Sequence, residues 1–255
     1  MRNAANLEPI QYANVWTADK LLASSDSLGE VWLYERNLRE VARITAIGYK
    51  TLDTLIISAT GDVFMDPEPV KLKQVVISSR SKVKKHTFGK VRSGNLSVCA
   101  EGTKNISEMA RFFTNDLQRE VVVDQFKFKA LCSRNGRVVM LSFYSVGENG
   151  QPGNLLNREP VICALKKGMQ TYKIDLAQHH ITMPPEGLFA AVSYPFIEAN
   201  KQPGKNNKDW YFYEPFIEAE EVNSFKDCWY LDGVEWKPVN RYTLLFELVV
   251  RENVQ

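Results

Sequence analysis

Between residues 121 and 130 a continuous apolar run, Val121, Val122 and Val123, passes into strict alternation, with Phe126, Phe128 and Ala130 separated by Lys127 and Lys129. Side chains two apart on an extended chain point to the same face, so this is the pattern of a strand with one face in a core and the other in water. Shorter β-rich runs recur along the chain, at 44–48, 55–57, 63–65, 75–77, 138–144, 160–165, 171–176, 188–194 and 242–250. Turn residues stand between them. Gly48 and the Thr60-Gly61-Asp62 triplet punctuate the first part, and Asp66-Pro67-Glu68-Pro69 cannot join a ladder because two of its four residues lack an amide hydrogen. Asn135-Gly136 between 121–130 and 138–144 predicts a tight hairpin, since that pair accepts positive φ at both central positions. Asp232-Gly233 predicts the tip of another.

Helical periodicity is confined to 106–113, where Ile106, Met109, Ala110 and Phe113 fall at i, i+3, i+4 and i+7, and one or two helical turns are expected there. Many short strands at regular spacing and no short fixed repeat predict an all-β chain with a sandwich or jelly roll in each half. The length of 255 residues suits two such domains. Five cations fall within residues 79–86, without periodicity, and this stretch reads as a solvated linker. The domains are therefore placed at 1–78 and 89–255, with a basic linker at 79–88.

Charge and cysteine usage narrow the function. With 32 basic and 30 acidic residues, the net charge of +2 gives no global field for nucleic acid. The four cysteines, Cys99, Cys132, Cys163 and Cys228, form no C-x-x-C pair, sit in or beside apolar runs and read as small buried thiols. No run of ~18 apolar residues is present to span a membrane as a helix.

Four phrases in the first segment carry a resemblance. Glu8-Pro-Ile-Gln-Tyr-Ala-Asn-Val15, Ser25-Asp-Ser-Leu-Gly-Glu30, Ile44-Thr-Ala-Ile-Gly-Tyr-Lys-Thr51 and Leu72-Lys-Gln-Val-Val-Ile-Ser78 follow one another in the order seen in carboxypeptidase regulatory-like domains. The segment resembles that family, which implies a small transthyretin-like (prealbumin-like) sandwich. Ser142-Phe-Tyr144, Pro152-Gly-Asn-Leu-Leu156, Tyr172-Lys-Ile-Asp-Leu176 and Ile181 resemble the larger, jelly-roll-like sandwich that accompanies such domains in Gram-negative envelope proteins. The resemblance implies a place in the cell envelope, periplasmic or associated with the outer membrane. Family members begin with a strand that ends just before the position of Asn3. The expectation is that this strand and a signal sequence precede the visible start.

Chemistry is sparsely marked. Among three histidines, the adjacent His179 and His180 follow a strand pattern, where neighbours point to opposite faces and do not converge on one ion. His86 lies in the basic stretch. No nucleophile elbow, Walker loop or dinucleotide fingerprint occurs. Glu214, Glu218, Glu220 and Glu221 read as a solvated loop. No catalytic, cofactor-binding or metal-ligating residue is nominated. The suggestive constellation is aromatic: Trp210, Tyr211 and Tyr213, then Trp229 and Trp236 on opposite arms of the hairpin about Asp232-Gly233, where they are expected to pair. Buried, these rings are core; exposed, they form a platform for a partner or a sugar ring. The functional expectation is a non-catalytic structural or interaction module that assembles with other envelope proteins. Carbohydrate binding through the five aromatics is the alternative.

Overall fold

The computed structural model describes the chain apart from residues 19, 35, 36, 38, 57–59, 69–81, 103, 104, 204–210, 225, 226 and 255. Among the described residues there is no α-helix, and the strands form four sheets of nine, seven, four and two strands. The protein is an all-β sandwich, as its alternation predicts.

The first unit contains β1 (Arg2–Asn3), β2 (Asn14–Thr17), β3 (Lys20–Ser24), β4 (Val41–Thr45), β5 (Leu52–Leu55) and β6 (Phe64–Met65). Its four-stranded sheet runs β3-β2-β4-β5, and β1 pairs in parallel with β6. One face of the sheet buries Ile44 with Ile10, Ala13 and Met65 in a small core of its own. The other face sends Trp16 and Leu21 into the main core of the molecule. The unit is thereby clamped to the second half, with Ser24 and Phe196 exchanging hydrogen bonds at 2.9 and 3.1 Å and Tyr12 packing on Met140 and Ile197.

The second unit begins with β7 (Lys82–Gly89), β8 (Leu96–Glu101), β9 (Ile106–Phe113), β10 (Val121–Cys132), β11 (Arg137–Val146), β12 (Pro152–Leu155), β13 (Val161–Leu165) and β14 (Gly168–Asp175). It continues with β15 (Thr182–Met183), β16 (Leu188–Ser193), β17 (Lys201–Pro203), β18 (Tyr211–Glu221), β19 (Cys228–Asp232), β20 (Glu235–Pro238), β21 (Tyr242–Leu244) and β22 (Glu247–Val254). The nine-stranded sheet has the path β17-β18-β10-β22-β7, with β14 and β15 also on β10 and β8 and β21 on β18. The seven-stranded sheet has the path β12-β11-β16-β9-β19-β20, with β13 on β11. Their inner faces meet in one core. Phe126 and Phe128 lie within it, and Phe126 makes edge contacts with Phe143 at 6.0 Å and Phe246 at 4.9 Å. Each such fully buried ring contributes roughly 1.5–3 kcal/mol relative to exposure.

Several expectations are corrected. Residues 106–113 form the strand β9 rather than a helix. This strand lies inside the seven-stranded sheet with apolar cover on both faces, Met109 and Phe113 inward and Ala110 and Phe112 outward, so period two is hidden. The second part of the basic stretch at 79–88 is no linker, because Lys82–Gly89 pairs along its whole length with β22 and forms one edge of the nine-stranded sheet. Lysines on an edge strand discourage pairing with another chain. The Asn135-Gly136 turn joins β10 and β11, which belong to opposite sheets, so it is an arch and not a hairpin. Both edges of β10 are already taken, by β14 on one side and by β22 and β18 on the other. The expected strand at 75–77 lies outside the described residues.

Candidate functional site

The five aromatic candidates do not meet. Trp210 lies outside the described residues. Tyr211 and Tyr213 are on β18 of the nine-stranded sheet, whereas Trp229 and Trp236 are on β19 and β20 of the seven-stranded sheet. Tyr213 is core: its ring stacks on Phe196 at 4.1 Å, and burial raises its hydroxyl pKa above the usual tyrosine value. Tyr211 is half-buried. It meets Tyr213 edge-on at 5.8 Å, carries the Lys201 ammonium 4.8 Å from its ring centre and lies flush against the Cβ-less backbone of Gly102. Trp229 faces Pro238 and Leu231 faces Trp236, so the two tryptophans share a sheet face but are offset diagonally rather than directly paired. The closing pair of that hairpin is Asp232 with Glu235, one residue later than an Asp232-Gly233 tip requires.

On the outer face of the seven-stranded sheet, Trp229 and Trp236 join Phe112, Tyr144 and Val146 around buried Ala110, Phe189 and Ala191. Among the described residues, every member of this cluster comes from the sheet's own strands. Small side chains on β9 and β16 let rings from the flanking strands reach across, and Tyr144 and Trp236 meet edge-on at 5.5 Å. Beneath them is a polar network. The Tyr144 hydroxyl donates to Glu108 Oε2 at 2.8 Å, and Ser142 and Ser193 share a bond of 3.0 Å. Burial pushes the Glu108 carboxyl up to about 7, against the hydrogen bond from Tyr144, which pulls it down. This aromatic face over a half-buried acid is suited to contact, since rings with a polar handle are favoured where apolar surface meets water.

A second feature lies where the first unit leans on β18. A cleft of about 490 Å³ is lined by Lys20, Trp32, Tyr34, Asn37, Glu40 and Tyr211, among others. Trp32 is 80% exposed and Tyr34 62%, whereas Asn37 is buried and donates its amide to Glu40 at 3.4 Å. The sequence reading missed Trp32 and Tyr34. Their only signal is a pair of rings in a segment without alternation.

Elsewhere several carboxylates and histidines have structural partners. Glu214 and Glu218, expected in a solvated loop, are buried on β18. Glu214 pairs with Arg137, and Glu218 accepts the Gly94 amide at 2.8 Å and the Ser97 hydroxyl at 3.0 Å, which removes the cost of burying them unpaired. His86 bonds Glu252 at 2.8 Å, and His179 and His180 lie at a 3-10 turn. Among the described residues no three His, Cys, Asp or Glu side chains are grouped to hold a metal.

No family model matches the chain, and no curated protein matches it. Among solved structures it is similar to a clostridial cysteine protease, Cwp84, after propeptide cleavage, at 12% identity and a TM-score of 0.46, covering 67% of this chain and 40% of that one. It is also similar to a chain of the T13 particle of infectious bursal disease virus, at 11% identity and a TM-score of 0.30, over 95% of this chain and 53% of that one. The Gx strain of the same virus gives 11% and 0.29, over 95% and 55%. The chain thus spans about half the length of these structures or less, and likeness at these scores carries no argument about fold or activity.

Proposed function

We propose that this chain is a non-catalytic interaction module of the bacterial cell envelope, and that it assembles with other envelope proteins through the outer face of its seven-stranded sheet. The observation that carries this reading is the cluster of Phe112, Tyr144, Trp229 and Trp236 on a sheet face whose apolar members, among the described residues, all come from the sheet's own strands. Protein interfaces are enriched in aromatic side chains at their centre, with polar groups around them. Half-buried tryptophans are anchors of that kind and are costly to truncate. The resemblance of the first segment to carboxypeptidase regulatory-like domains supports the envelope assignment.

The test uses the full-length protein expressed from its own gene and carrying a photo-crosslinking residue at Val146, a member of the cluster, or at Glu186, an exposed loop position. The expected result is recovery in the envelope fraction and a discrete protein adduct from position 146 alone, lost in Trp236→Ala. Equal adducts from both positions, or none from position 146, would overturn the reading.

A further inference from the structure

We propose that the cleft between the first unit and β18 binds a short, neutral oligosaccharide, with Trp32 as the stacking surface. This goes beyond the docking face on the seven-stranded sheet and does not rest on it.

The cleft has the size of a small-ligand site, roughly 300–1,000 Å³, at about 490 Å³. Its walls are chemically mixed in the way a sugar is. One face of a pyranose ring presents C–H groups and lies well on an aromatic ring, while its edge presents hydroxyls that both donate and accept. Trp32, 80% exposed, supplies an open ring face, in contrast to Trp16, which is 8% exposed and inside the core. Tyr211 also lines the cleft and is a rigid wall, its ring held by Gly102, Tyr213 and Lys201. Asn37 is buried and fixes Glu40 through its amide, so the Glu40 carboxylate is a positioned acceptor. Lys20 is a donor on the lip.

Charge selects the class of sugar. Among the described residues that line the cleft, the charged side chains are Lys20 and Glu40, one of each sign, a balance that suits a neutral chain better than a sulfated or uronic one. A peptide fits less well. The usual route for a peptide at such a place is to add a strand to the neighbouring sheet edge. That edge is β3, and two of its amides are already used, Leu21 by the Asn105 side chain at 3.1 Å and Ser24 by the Phe196 carbonyl at 3.1 Å.

The experiment titrates the full chain with maltohexaose, cellohexaose, laminarihexaose and chitohexaose, followed by calorimetry and tryptophan emission, at low and high salt. At least one of the four is expected to bind with an affinity unchanged by salt. Trp32→Ala should weaken it by roughly tenfold or more, as for loss of a central tryptophan anchor. Glu40→Gln should weaken it by a smaller factor, and Trp236→Ala should leave it unchanged. Failure of all four to bind overturns the proposal, as does binding that survives Trp32→Ala or an anionic polygalacturonate that binds tighter than every neutral chain. A protein captured at Trp32 that no neutral sugar displaces also overturns it. Loss of crosslinking at Val146 with sugar binding intact would sink the docking reading and leave this one standing.

Discussion

Arg137 and Glu214 tie the two sheets of the large sandwich together from inside: the guanidinium Nε lies 2.5 Å from the carboxylate, and the two side chains are 1% and 4% exposed. Arg137 opens β11 of one sheet, and Glu214 sits on β18 of the other. The carboxylate also accepts from the Ser133 amide at 3.2 Å and the Ser133 hydroxyl at 2.9 Å, so the arch between β10 and β11 is pinned at the same point.

Removing one partner of a buried pair leaves the other charged and dry. Arg137→Met should therefore lower stability by about 3–5 kcal/mol, read as a shift in the urea midpoint. The double variant Arg137→Met with Glu214→Leu should recover much of that loss, because no orphan charge remains. Equal destabilisation of both variants would show that packing, and not the pair, is what Arg137 supplies.

Glu108 gives the protein a pH-dependent stability. Its native pKa is about 7, raised by burial from 4.5. Across that interval the native state holds a proton that the unfolded chain has released. Stability should therefore fall as pH rises from about 4.5 through about 7 and level off above, by an amount on the order of 2 kcal/mol. Glu108→Gln keeps the contact with Tyr144 and carries no charge, so the variant should gain on the wild type at pH 8 and not at pH 4.5. Denaturant midpoints at the two pH values check this, and parallel pH profiles would refute it.

Gly102 is required by the ring of Tyr211. A Cβ placed there meets Tyr211 Cε2 at 2.0 Å and Cδ2 at 2.5 Å. Gly102→Ala should cost about 1–3 kcal/mol through overpacking. The same substitution in a Tyr211→Ala background should cost much less, so a double-mutant cycle gives a coupling energy that independent sites would not show.

The thiols should be inert in the folded protein. Burial pushes Cys99 and Cys163 up to about 12 and Cys132 up to about 11, and it raises Cys228 further, with Asp227 adding to the effect. All four are free. Because the thiolate is the reactive form, a disulfide reagent at pH 8 should modify the native chain slowly and titrate four thiols once it is unfolded. A thiol that reacts within seconds in the native state would contradict this.

Alternation alone identified the strand of Phe126, Phe128 and Ala130, because one of its faces is core and the other is lined with lysines. The same logic failed at β9, whose two faces are both apolar, and at Glu214 and Glu218, whose partners Arg137 and Ser97 come from distant parts of the chain. The aromatic candidates were half legible. Sequence marked Trp229 and Trp236 as noteworthy, but not that Tyr144 and Glu108 lie with them.

What the sequence determined by itself is local: which stretches are extended, where turns fall, and that apolar faces exist to be stacked into sheets. Period two is a property of the backbone and needs no knowledge of neighbours. Which strand lies beside which was decided only by tertiary structure. Asn135-Gly136 specifies a reversal of the chain, yet whether the two arms pair or part into opposite sheets depends on which edges other strands have already filled. For the same reason the cleft beside Trp32 and the acid beneath Tyr144 came into view only with the fold, since each joins residues that chain distance keeps far apart.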